Sequence, residues 1–181
     1  MLVLLQYLAK EQGIPINLSQ MSRETFVGIP TIKKLLYAFE SVFLIRDMPL
    51  EGDLKGPVYF FEDMLERINL KGGIGTDFEN ISHFALNHIR GELSYGSLDQ
   101  PHSFFQFRTR AGVVVPVCVS VGERALGVIP IDGDLPSRAE SAAGDSFLKR
   151  YGGAKIVYLG MKSKAQILDD RRAVFSVAST V

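Results

Sequence analysis

The chain has 181 residues, 20 basic and 20 acidic side chains, 46% apolar and 22% charged residues. This is the composition of a folded globular protein, and its neutrality offers no global argument for nucleic acid, an anionic membrane surface or acidic partners. A single cysteine, Cys118, excludes an internal disulfide and fits a reducing compartment, and the apolar run Val113 to Val119 is far short of the ~20 residues that span a bilayer.

The N-terminal MLVLLQYLAKEQG lacks the basic region and cleavage site of a signal peptide, so the expected location is the cytoplasm, with no membrane partner. Leu2, Leu5, Leu8 and Ala9 recur at helical spacing and predict a first helix ending at Gly13, with Pro15 beyond. Asn17 reads as the cap of a second helix over Leu18 to Glu24. After the turn Phe26-Val27-Gly28-Ile29, a third helix starts at Pro30 and buries Ile32, Leu35, Leu36 and Phe39. Ser41 to Met48 and Pro57 to Phe61 read as strands joined by the hairpin loop Pro49 to Gly56. Three short helices and a hairpin follow the order of a winged helix-turn-helix.

The periodicity changes near Lys71-Gly72-Gly73-Ile74-Gly75, which reads as a linker between domains at 1–70 and 76–181. Phe78 to Leu93 is an amphipathic helix with Phe78, Ile81, Ala85 and Ile89 on one side. Phe104 to Thr109, Val113 to Val119 and Ala125 to Ile131 read as strands joined by short hairpins. A helix over Arg138 to Tyr151 leads to a strand at Ala154 to Leu159, and a last strand lies at Ala173 to Ala178. The strand-helix-strand crossover requires parallel pairing, so the second half is a mixed sheet. The expected fold class is α/β (α+β).

The segments LLQYLAKEQGIPINLSQMSRETFVGIPTIKKLLYAFESVFLIR, VYFFEDMLERINL, FENISHFALNHI, FQFRTRAGVVVPV and GVIPID occur in this order. Together they resemble the C-terminal half of a bacterial and archaeal group of AAA-type ATPases, a domain of unknown function. The resemblance covers nearly the whole chain. It implies a winged helix followed by a degenerate PD-(D/E)xK restriction-endonuclease-like domain, with the ATPase domain upstream. No G-x-x-x-x-G-K-[ST] occurs here, so Gly72-Gly73-Ile74-Gly75 reads as linker and not as a phosphate cradle. The chain then reads as a free-standing or truncated C-terminal half.

A nuclease of that type needs carboxylates converging on Mg²⁺ and a lysine near the attacking water. The family pattern FRTRxGxxVD followed by PIExK sets them on two strands, with a Glu on the preceding helix. Position by position, Glu79 retains the helix acid, the strand Asp falls at Pro116, and the Glu and Lys fall at Asp132 and Asp134. Pro116 cannot ligate a metal and itself points to an edge or a bulge. Asp132-Gly133-Asp134 reads as a polar turn, so no metal, cofactor or catalytic residue is expected; a rewired metal site would consist of Glu79, Asp132 and Asp134. Lys155 is the one candidate for a migrated amine. His83 and His88, five apart on one helix, diverge by about 140° and do not chelate one ion easily. His102 reads as a solvated loop residue and Cys118 as a core packer.

For nucleic acid, Thr31, Lys33, Lys34 and Tyr37 would enter a groove, with Arg46 and Lys55 near the wing; Glu51 and Asp53 on the wing oppose this. Residues 1–70 hold seven basic and nine acidic side chains. Three readings result. The first is a non-catalytic module of an AAA-type ATPase, binding a partner protein (the ATPase domain among them) or DNA. The second is a winged-helix DNA-binding protein whose other domain dimerises or senses a ligand. The third is a metal-dependent nuclease with a rewired site. Val3 and Leu4 of the first helix would be orphaned by loss of the upstream domain, and an exposed patch of that kind points to self-association and a homodimer.

Overall fold

In the computed structural model, which describes residues 1–52, 56–73, 77–95, 101–161 and 163–177, the chain divides into two units. These are Met1–Leu50 with Lys55–Gly75, and Glu51–Leu54 with Thr76–Val181. The elements in order are α1 (Leu2–Lys10), α2 (Leu18–Thr25), α3 (Ile29–Ser41), β1 (Ile45–Met48), β2 (Leu50–Gly52), β3 (Val58–Phe61), α4 (Met64–Lys71) and α5 (Asp77–Tyr95). After them come β4 (His102–Arg108), β5 (Val114–Val121), β6 (Arg124–Ile131), α6 (Arg138–Arg150), β7 (Lys155–Gly160), β8 (Gln166–Ile167) and β9 (Arg172–Ser176).

In the first unit, the core joins Leu4, Leu5 and Leu8 of α1, Met21 of α2, Ile32, Leu36 and Phe39 of α3, and Ile45, Tyr59 and Phe61 of the strands. Asn17 caps α2 as expected, its side chain accepting from the Ser19 and Gln20 amides at 3.0 and 3.1 Å. The buried face of α1 is rotated from the expected one: Leu4 is fully buried, whereas Leu2 and Val3 are exposed. The expected strand over Ser41 to Met48 is shorter. α3 runs on to Ser41, Val42 donates to the Ala38 carbonyl, and Phe43 turns left-handed (φ 56°), so that the Leu44 amide reaches the Phe39 carbonyl at 2.9 Å. This helix-terminating arrangement normally uses glycine, and it outweighs the strand propensity of Val-Phe-Leu.

β1 and β3 pair antiparallel, from Ile45 with Phe61 to Met48 with Val58. Their connection is not a bare hairpin loop. It contains β2, an edge strand of the second unit's sheet beside β4. Gly52 (φ 114°) permits this, because a Cβ there would collide with the Arg108 carbonyl. α4 was not foreseen; Asp63 caps its start and left-handed Gly72 ends it.

The second unit has an α/β fold with a seven-stranded mixed sheet, ordered β2-β4-β5-β6-β7-β9-β8. β4, β5 and β6 are antiparallel; β6 and β7 are parallel, as the crossover through α6 required, and β9 adds parallel to β7. The two-residue edge strand β8 is an addition to the expected set. Ser137 and Glu140 close a capping box at the start of α6. At its other end the Arg171 guanidinium donates to the Leu148, Tyr151 and Ala154 carbonyls at 3.0, 3.3 and 3.1 Å, two of which close that helix end.

Strand alternation assigns the two faces of the sheet. Ile129, Ile131, Ile156, Tyr158 and Val174 point to α6 and pack with Ala143, Phe147 and Leu148. Leu126, Val128, Val157, Leu159 and Phe175 point to α5. Pro116 sits in β5, where the register slips between Phe105–Cys118 and Phe107–Val115. The bulge anticipated from that proline is therefore present, on an interior strand and not an edge. The β5–β6 ladder ends at Val117–Val128, short of both Pro116 and Pro130.

Phe147 is fully buried against Phe105, Phe107 and Tyr151. Phe147→Ala is expected to destabilise the protein by about 3–5 kcal/mol in chemical denaturation. Ile167→Ala, at a side chain 82% exposed, is expected to stay within about 0.5 kcal/mol of the parent.

Candidate functional site

The outward face of α3 follows from its helical period. Taking about 100° per residue from Thr31, buried Ile32, Leu36 and Phe39 cluster near 80–140°, while Lys33, Tyr37, Lys34 and Thr31 span roughly 200–360°. All four are exposed, Tyr37 by 73%. Among the described residues Lys33 and Lys34 form no ion pair. α3 is bracketed by two exposed phenylalanines that the sequence reading did not single out. Phe26 (95% exposed, φ 55°) ends α2, and Phe43 (74% exposed) follows α3. A left-handed backbone at a bulky residue costs about 1–3 kcal/mol, and neither ring recovers this by burial. The readable signal was the lack of glycine after either helix.

Of the two cations expected near the wing, only Arg46 is among the described residues. Arg46 donates through Nε to Glu62 Oε1 at 2.7 Å, so its charge is already paired. Lys55 and Asp53 lie outside the described residues, as do Ile74 and Gly75 of the expected linker. Glu51 lies in β2, where its carboxylate accepts from the Tyr151 hydroxyl. Burial, reinforced by Glu51, pushes the Tyr151 phenol well up.

β6 ends at Ile131, so the alternation that puts residues two apart on one strand face does not extend to Asp132 and Asp134. Both are exposed in the bend after the strand. That bend is pinned through its backbone: Ser163 Oγ donates to the Gly133 carbonyl at 2.9 Å, and Gln166 Nε2 to the Asp134 carbonyl at 3.4 Å. Glu79 is half-buried on α5 and already engaged within the chain. Among the described residues no group of three or more His, Cys, Asp and Glu is placed to hold a metal ion. Lys155 is paired with Leu126, five residues along β6 from Ile131, which puts it about 16 Å from the strand end. It is too far to serve Asp132.

His83 is buried and engaged; His88 stacks on Phe84 at 5.7 Å and His102 meets Phe104 edge-on at 6.0 Å. Cys118 is fully buried, its Sγ 3.6 Å from the Val115 carbonyl, and burial pushes its thiol well up. Its position is that of a core packing group, and burial favours the neutral thiol.

No known protein family, curated protein or solved structure matches the chain. No helix among the described residues is long and apolar enough to cross a membrane.

The raised Cys118 pKa fixes a pH dependence. The folded state keeps a proton that the unfolded state releases above about pH 8.5, so this stability is complete below that pH and is lost above it, by up to about 1.4 kcal/mol per pH unit. Denaturation midpoints between pH 8 and 10 should fall for the parent protein and fall less steeply for Cys118→Ala.

Proposed function

We propose that the chain is a non-catalytic binding module, related to the C-terminal half of AAA-type ATPases, whose first unit is a winged helix that contacts a partner protein through α3. The element order α1, α2, α3 and the β1–β3 pair supports the winged helix. The observation that carries the reading is the exposed aromatic set Phe26, Tyr37 and Phe43 around α3, two of them held in a costly backbone conformation. Solvent-facing aromatic side chains of this kind are the anchors of protein interfaces.

Catalysis is disfavoured because Pro116 occupies a bulge and Asp132 and Asp134 lie past the end of β6. The DNA reading has a specific basis in Thr31, Lys33 and Lys34. It is the weaker one, because Arg46 is paired with Glu62 and β2 draws the β1–β3 connection into a sheet. Of the expected cations among the described residues, only Lys33 and Lys34 are then left for phosphate neutralisation, which supplies nearly all non-specific affinity for DNA.

Two measurements test this. Incubation with plasmid and single-stranded DNA in Mg²⁺ or Mn²⁺ should leave the DNA intact; scission abolished by Asp132→Ala would establish the nuclease reading instead. Association with an AAA-type ATPase domain in trans, followed by sedimentation, should be lost in Phe26→Ala/Tyr37→Ala and kept in Lys33→Ala/Lys34→Ala. Tight, salt-sensitive DNA binding lost in the lysine pair would favour the DNA-binding reading.

A further inference from the structure

A cleft of about 850 Å³ opens on the α5 side of the second unit's sheet, beside the β5–β6 hairpin. Strand register builds its floor. Leu126 on β6 lies between Val119 on β5 and Lys155 on β7, and Val121 is paired with Arg124. Residues so paired share one face of a sheet. Ile89 and Leu93 of α5 supply the facing wall. A second, apolar slot of about 130 Å³ continues between α5 and the sheet, past Val128, Val157 and Phe175. Ile89 and Leu126 line both spaces, so the two adjoin there.

The wide space carries charge and the narrow one does not. Arg124 and Lys155 are exposed and form no ion pair among the described residues. Glu123 is the one acid among the cleft's described lining, against these two cations. Small-molecule sites have this make-up: several hundred Å³, mostly apolar walls and a few charged groups that orient the ligand.

We propose that the joined clefts bind a small amphipathic anion, an alkyl carboxylate, with its head between Arg124 and Lys155 and its chain running past Ile89 and Leu126 into the apolar slot. This site is independent of α3 and of the partner-binding reading above. The carboxylate supplies a counter-charge to two cations that form no ion pair among the described residues, and the chain covers the apolar floor that α5 leaves open.

Isothermal titration of the full chain with hexanoate, octanoate and decanoate below their micellar concentrations, and with decanol below its aqueous solubility, tests the proposal. Decanoate should bind one-to-one and saturably, with affinity rising about fourfold for each added methylene that is buried. Arg124→Glu/Lys155→Glu should weaken decanoate about tenfold or more and leave decanol unchanged. Both positions are exposed, and an unchanged thermal midpoint would verify folding; Arg124→Gln/Lys155→Gln replaces the reversal should it unfold the chain. Absence of saturable binding, several equivalents per chain, or decanoate affinity indifferent to the double substitution would overturn the site.

Discussion

β6 and β7 are covered on both faces, by α6 on one side and α5 on the other, and much of the second unit depends on that burial. A strand with one wet face can alternate apolar and polar residues; a strand covered twice cannot, because each unpaired charge in a dry layer costs several kcal/mol. Val128-Ile129-Pro130-Ile131 and Tyr158-Leu159 meet that demand. Charged side chains are displaced to the strand ends, where coverage stops. Asp132 and Asp134 emerge past one end of β6, and Arg124 with Lys155 stands at the other. The single constraint thus leaves Asp132 and Asp134 past the end of β6 and sets the two cations beside an apolar cleft.

The pair of prolines reinforces this. Pro116 and Pro130 have no amide hydrogen to give, and the β5–β6 ladder stops just before both. β5 absorbs the mismatch as a bulge against β4 instead of leaving amides unsatisfied in the core. Pro116 thus places a side chain without donor or charge in distorted backbone, where it packs and cannot ligate a metal.

The first unit uses its helix ends differently. Asn17 and Asp63 cap α2 and α4 by local hydrogen bonds, the inexpensive solution. Phe26 and Phe43 instead terminate helices in a conformation suited to glycine, with their rings in water. That is a conflict between local preference and structure, and such conflicts concentrate where a surface is used.

Local signals in the sequence determined five of the six helices and the Asn17 cap, the hairpin order of β4 to β6, the parallel pairing across α6 and the irregularity at Pro116. Each depends on periodicity, a turn or a missing amide within a few residues, and those are written in consecutive side chains. Tertiary structure decided what depends on distant partners. β2 is recruited to a sheet whose other strands begin fifty residues later. Arg46 loses its free charge to Glu62, and Leu4 displaces Leu2 from the core. Lys155 joins Arg124 and not Asp132. Register between non-adjacent strands sets which side chains meet, and no local pattern encodes it, because a shift of one residue exchanges the faces of an otherwise identical strand.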